Sequence, residues 1–269
     1  MIKDPVLTPQ DIDHLAQKMQ EASLLAIAMA DGIEPRFKTG PDDQVTEADI
    51  AISELLSQAI RERFTDDCVI SEEDEEHRFD ENARRVWLID PIDGTQNYIL
   101  QDGQYCVMLG LLIDRQPAFG FVAEPATGTL YFGGPGQGAF REKDGIRTAI
   151  KALGAFNYDG PKRLTMGSRD RRRNPWIGDI EHVEIVKTGS IGLKIVRMLE
   201  DKADVFAHLG CKLKVWDTAG PAALALGAGL QVGTMDWDGL HFDLPKLAQQ
   251  EVVIMGKPGA LKWCRENLR

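Results

Sequence analysis

The chain has 269 residues, 43% of them hydrophobic and 27% charged, with a formal net charge of -11. That length can bury one large core or two lobes sharing an interface, while the acidity excludes a protein that coats nucleic acid polymers or an anionic membrane. Anionic small molecules remain admissible, because bound divalent cations reverse the local field.

From the N-terminus, MIKDPVLTPQDIDHL lacks the apolar core of a secretory leader, so export is not expected and a cytoplasmic location is. Thr8 to Asp31 carries Ile12, Leu15, Ala16 and Met19 at helical spacing and ends at Gly32. KTGPDDQ, Lys38 to Gln44, reads as a mobile surface loop because of its Gly-Pro pair. TEADIAISELLSQAIRERF then opens on an N-cap at Thr46 and continues as an amphipathic helix.

The pattern next turns to strands. CVI (Cys68 to Ile70) and VWLID (Val86 to Asp90) are short and apolar, each followed or ended by carboxylates. YCVMLGLLI, AFGFVAEP and TLYFGG read as a meander of longer strands. Beyond about residue 145 the chain alternates. RLTMGS, HVEIVKTG, a helix from Ile191 to Glu200, ADVFAHL, a helix from Asp217 to Ala228, LQVGTM, EVVIM and a closing helix follow in turn. Such alternation implies an α/β lobe. The expected division is an N-terminal α+β lobe over residues 1–150 and a C-terminal α/β lobe over 151–269, linked within Lys143 to Lys162.

The longest apolar runs, such as AALALGAGL from Ala222 to Leu230, are too short for a bilayer span. The four cysteines are scattered with no CxxC pair, so they read as reduced thiols and not as a disulfide frame or zinc site.

The chemistry concentrates in WLIDPIDGTQNYI, Trp87 to Ile99. Pro91 fixes its own φ and pushes Asp90 into extended backbone, so a turn can aim Asp90, Asp93 and the Ile92 carbonyl at one point. Oxygen donors of this kind are what hard cations such as Mg²⁺ select. Aspartates so close repel unless something positive lies between them. Gly94 allows close backbone approach, and N–H groups at a following helix start suit a phosphate oxygen. Asp-Pro and Asp-Gly are also common turn dipeptides, and what favours a site is the apolar strand that carries both aspartates to a core edge. Asp90 is expected at the solvent-facing end of that strand. In SEEDEEH, Asp74, Glu75 and Glu76 read as solvated, whereas Glu72 directly follows a buried strand. Asp217 begins a helix and could serve only as its cap, with Trp216 in the core.

VTEADIAISELL, VISEED, WLIDPIDGTQNYI and VWDTAGPAALALGAG resemble, in order and spacing, the signature blocks of the lithium-sensitive, magnesium-dependent phosphatase superfamily. This group includes inositol monophosphatases, fructose-1,6-bisphosphatases and 3'(2'),5'-bisphosphate nucleotidases. The resemblance implies a layered αβαβα sandwich and hydrolysis of a small phosphomonoester with two or three Mg²⁺ ions. It implies Glu72, Asp90 and the Ile92 carbonyl as ligands of one ion, and Asp90, Asp93 and Asp217 as ligands of a second. Asp49 and Thr95 would orient and deprotonate the attacking water, with Gly94 and Thr95 as backbone donors to the phosphate. A non-catalytic binding homologue would have no use for the Asp49 and Thr95 pair. Expected partners are a small phosphorylated substrate, no nucleic acid polymer and no membrane, with a homodimer as one open assembly.

For the substrate, Gly210 stands where inositol enzymes carry a glutamate, and GCKLKVWD supplies Lys212 and Lys214. SEED, MGSRD and GSIGLK, with Ser190 and Lys194, also resemble the nucleotidase branch. SRDR in place of Ser-Arg-Ser-His, and His208 in place of an arginine, depart from it. RDRRR, Arg169 to Arg173, reads as a solvated loop, with a docking patch for a second phosphate or an anionic partner as the sharper alternative. The expected substrate is 3'-phosphoadenosine 5'-phosphate, yielding AMP. The alternatives are inositol or another sugar monophosphate, or fructose 1,6-bisphosphate.

Overall fold

The computed structural model describes residues 6–33, 36–37, 44–210 and 213–268. Its helices are α1 (Pro9–Ala28), α2 (Glu47–Arg63), α3 (Thr95–Ile99), α4 (Ser168–Arg173), α5 (Ile191–Leu199), α6 (Val215–Gly227) and α7 (Ala260–Asn267). A short ribbon joins β1 (Arg36–Phe37) to β2 (Gln44–Val45). One large sheet runs in sequence order through β3 (Cys68–Ser71), β4 (Arg85–Asp93), β5 (Cys106–Ile113), β6 (Gln116–Glu124), β7 (Thr129–Gly134), β8 (Gly138–Lys143) and β9 (Ile146–Ala149). A second sheet contains β10 (Lys162–Thr165), β11 (Val183–Val186), β12 (Val205–His208), β13 (Gln231–Gly233) and β14 (Val253–Gly256), in the order β11-β10-β12-β14-β13.

Side-chain alternation builds the layers. Along β4, Trp87 and Ile89 face α1 and α2, whereas Val86 and Leu88 face the core shared with α5 and α6. Along β12, Phe206 joins that same central core, and Val205 and Ala207 pack with α7 on the far side. A strand's side chains point alternately to its two faces, so two sheets apolar on both faces require three helical layers. The expected αβαβα sandwich is what forms. Helix α6 can lie flat on the large sheet because Gly110 and Gly120 face Gly220, where an added Cβ would run into the Gly220 backbone.

Several expectations need correction. RDRRR is not a loop but α4, and Asp170 within it is buried. Polar, partly exposed β8 and β9 prolong the meander, and β9 enters the stretch expected to be linker. β9 is the edge strand of the sheet and β8 its neighbour, and the apolar alternation weakens toward that edge. Residues 38–43 of the expected mobile loop, with Cys211 and Lys212, lie outside the described residues. Among the described residues no helix is long and apolar enough to cross a membrane.

Candidate active site

The site grows from the end of β4. Parallel pairing sets Ser71 beside Ile89, and the Glu72 N–H donates to the Ile89 carbonyl at 3.1 Å, so Glu72 arrives next to Asp90. On the other side Asp90 pairs with Met108 and Asp93 with Cys106. Strand β4 therefore advances one residue more than β5 between them, a bulge that re-aims Asp93. Pro91 falls in this irregular stretch, where its missing N–H breaks no regular ladder. Gly94, at φ +95°, turns the chain into α3; a Cβ there would stand 3.1 Å from the Gln104 carbonyl and 3.3 Å from Ser190 Cβ. The Thr95 hydroxyl donates to the Ile92 carbonyl at 3.2 Å.

Two further carboxylates come from the first turns of long helices. Asp49 Oδ2 accepts from the Thr46 N–H at 2.8 Å and the Thr46 hydroxyl at 2.6 Å at the start of α2. Asp217 Oδ2 accepts from the Lys214 N–H at 2.7 Å at the start of α6. Both are caps in geometry, which pins each carboxylate by one oxygen. Asp93 is pinned likewise, its Oδ2 accepting from the Gly192 N–H of α5 at 2.7 Å. Trp216 lies in the core as expected, and its ring stacks on His77 at 5.2 Å, fastening the loop that carries Glu72 to the helix that carries Asp217.

Asp90 is not solvent-facing, being only 2% exposed. Burial, then the charges of Glu72, Asp93, Asp217 and Asp49, push its carboxyl well above the usual range. Burial and the neighbouring Asp93 raise Asp217 to about 7. Burial also raises Asp93, against the lowering effect of the Lys194 ammonium. Among the described residues no three His, Cys, Asp or Glu side chains are closed into a ligating cage. The shared field is the better guide to what the group binds, since anions with nothing positive between them hold one another apart. Asp90 Oδ1 is buried without a hydrogen-bond partner. An orphaned carboxylate oxygen amid four other carboxylates fits a hard divalent cation.

A cleft of about 360 Å³ opens beside these residues. Glu72, Gly94, Thr95 and Gln96 line one wall, and Ser168, Arg169, Asp170 and His208 line another, with Lys194 between. Lys194 is 2% exposed, and its Nζ donates to the carbonyls of Gly189 at 2.5 Å and Ser190 at 2.9 Å. Burial lowers it to about 8 despite the opposing effect of Asp93. Ser190 is buried and its hydroxyl caps α5, accepting from the Leu193 N–H at 3.1 Å. Lys214 is exposed at the start of α6 and is not among the residues lining this cleft. The structure thus brings Glu72, Asp90, Asp93, Asp217 and Asp49 into one field and leaves Lys214 outside the cleft. It adds Arg169, Asp170 and His208, which the sequence marks only as departures or as a basic run. The usable signal was positional: His208 ends a strand and α4 follows one, where open α/β sheets build sites.

Comparison with known proteins agrees with this architecture. The model of the inositol monophosphatase family matches residues 12–262. The 3'(2'),5'-bisphosphate nucleotidase CysQ of Salmonella typhimurium is 29% identical over 237 residues, covering 86% of this chain and 93% of that protein. Inositol monophosphatase 1 of Rattus norvegicus is 25% identical over 239 residues, covering 84% and 82%. The solved extragenic suppressor protein suhB of Bartonella henselae superposes with a TM-score of 0.80 at 18% identity, covering 96% and 98% of the two chains. With a family match spanning nearly the whole described sandwich and every carboxylate of the cleft, the chain belongs to the inositol monophosphatase family.

Proposed function

We propose that this phosphatase is a Mg²⁺-dependent 3'(2'),5'-bisphosphate nucleotidase that releases the 3'-phosphate of 3'-phosphoadenosine 5'-phosphate to give AMP. The observation that carries the metal-dependent part is the buried, partnerless Asp90 Oδ1 surrounded by Glu72, Asp93, Asp217 and Asp49. Glu72, Asp90 and the Ile92 carbonyl would hold one ion, and Asp90, Asp93 and Asp217 a second, with room in the assignment for a third. Bound there, the ions supply the positive charge that a phosphoryl group needs in its transition state.

The chain's own groups do the positioning. Gly94 and Thr95 offer backbone N–H groups to the phosphate. Thr95, with Asp49, orients the attacking water and receives its proton. Asp49 lies within electrostatic reach of Tyr98, one turn along α3 from Thr95. The lobe of residues 1–150 supplies this machinery, and the lobe of 151–269 supplies Asp217 and the wall against the leaving alcohol.

The nucleotide assignment draws on the CysQ relatives and on Arg169, the cation on the wall away from the carboxylates. Arg169 is a better candidate for a second phosphate than Lys194, which is turned onto backbone carbonyls, or Lys214, which is outside the cleft. One observation favours a second reading. The buried Asp170 carboxylate on that wall is better suited to an uncharged polyol, as in inositol 1-phosphate. Phosphate release from 3'-phosphoadenosine 5'-phosphate, inositol 1-phosphate and fructose 1,6-bisphosphate, each with Mg²⁺ and with chelator, separates the readings. Preference for either sugar phosphate would overturn the nucleotidase assignment; turnover in chelator would overturn the metal site.

A further inference from the structure

The wall opposite the acidic cluster holds a pair of titratable groups that the hydrolysis scheme does not use. His208 ends β12, and Asp170 lies in α4. His208 Nδ1 stands 3.1 Å from Asp170 Oδ2, with side-chain exposures of 18% and 4%. His208 Nε2 is buried without a hydrogen-bond partner, while Asp170 Oδ2 is turned to Nδ1 within the pair. A buried polar atom is rarely left so, and one on the wall of a cleft points to a ligand or a proton not yet accounted for. Gly210 leaves the pair room, since a Cβ there would come within 3.1 Å of His208 Nε2 and 3.7 Å of Asp170 Oδ1.

The charged groups around the ring are few. Helix α4 contributes Arg169, Asp170 and Arg171, Glu72 lines the same cleft, and α5 contributes Lys194, which feels the charge of Asp170 and Arg171. From the sheet side, β14 sets uncharged Val253 opposite His208. With a neutral ring, Asp170 offsets one of the cations beside it. With a protonated ring, the pair is closed as an ion pair, and the wall carries the net charge of its arginines and lysine. An imidazole is the side chain that makes this change near neutral pH.

We propose that the Asp170–His208 pair is the specificity-determining element of the leaving-group wall, favouring a second anionic group on the substrate when His208 is protonated. This rests on the nucleotidase reading. Arg169 heads the short helix that the pair ties to β12, so the same contact also positions the arginine against that group.

The test is the ratio of kcat/KM for 3'-phosphoadenosine 5'-phosphate to kcat/KM for 3'-AMP, which differ only in the second phosphate. With Mg²⁺ present, the wild-type ratio should fall about tenfold between about pH 6 and 8, the scale of one charge-assisted contact. The second phosphate itself gains charge over this window and pushes the ratio the other way, so a fall identifies a group on the protein. His208→Gln should abolish the fall. A wild-type ratio that stays flat or rises would overturn the proposal without reference to any variant. So would a His208→Gln ratio that follows the wild-type course. If both nucleotides are hydrolysed with matching pH courses, this inference fails and the nucleotidase reading stands. If neither is hydrolysed, both fail.

Discussion

The two walls of the cleft are built by opposite means. The wall lined by Glu72 is backed by a cluster of five carboxylates, Glu72 included, whose own neighbours are hostile: burial and repulsion raise Asp90 and Asp217, and burial raises Asp93. It is held together from behind, by strand pairing, a bulge and helix caps, and not by attraction within the cluster. The opposite wall mixes signs, with Asp170 and His208 between Arg171 and Lys194, so its members already neutralise one another in part. A wall under repulsion calls for an external cation. A wall of mixed sign calls for no cation and can instead discriminate. On the proposed reading, the first performs the reaction and the second selects the substrate.

The sharpest way to break the contrast is to remove the central repelling charge. Asp90→Asn should lower Mg²⁺-dependent turnover by about 10³-fold or more, the scale of losing a main electrostatic stabiliser. Because that charge is buried beside four like charges, the metal-free variant should melt no lower than wild type. Turnover near wild type would remove Asp90 from the metal site. Thr95→Ala deletes a hydroxyl but no carboxylate, so turnover should drop by roughly 10²–10⁴ while Mg²⁺ affinity by calorimetry holds. Equal losses of both would make Thr95 a structural residue, acting through its bond to the Ile92 carbonyl.

On the other wall, Arg169→Ala should reduce kcat/KM for 3'-phosphoadenosine 5'-phosphate by roughly 10- to 150-fold, as expected for a lost charge-assisted contact, and reduce that for inositol 1-phosphate far less. Lys194→Ala should instead lower both alike, since Lys194 acts on Asp93 and on the carbonyls before α5. A selective loss in Lys194→Ala would reverse these two roles.

The smallest effect is on stability. The folded chain keeps a proton on Asp217 up to about 7, whereas an unfolded aspartate releases it near its ordinary 3.8. Between those values the native state binds more protons, so stability falls as pH rises through the window. Asp90 and Asp93 shift in the same direction. In chelator, the melting temperature should decline from about pH 5 to 7, and Mg²⁺ should remove most of the decline. A decline that persists unchanged with Mg²⁺ would place its source outside the carboxylate cluster.

The acidic wall was legible because its residues travel in short blocks. Asp90, Ile92, Asp93, Gly94 and Thr95 lie within one short block, and Pro91 and Gly94 mark where its backbone departs from a regular strand. The caps at Thr46 and Asp217 were legible for a similar reason, since capping is read from neighbours three residues apart. The layered fold followed from alternation along the central strands, and it weakened where β8 and β9 became polar at the sheet edge.

What sequence alone determined, then, was everything encoded by near neighbours: the strand ends, the caps, the order of elements and the carboxylates they carry. Tertiary structure decided the rest. Only the folded chain shows Asp90 buried and not solvent-facing, because its solvent is replaced by elements more than a hundred residues away. Lys194 and Lys214 looked equivalent as cations near signature blocks, yet one is buried on backbone carbonyls and the other lies outside the cleft. Asp170 and His208 are separated by strand β11 and helix α5, and nothing local in either segment specifies the other. Their pairing arises from the parallel register of β10 and β12, which brings the ends of both strands to the same edge of the sheet.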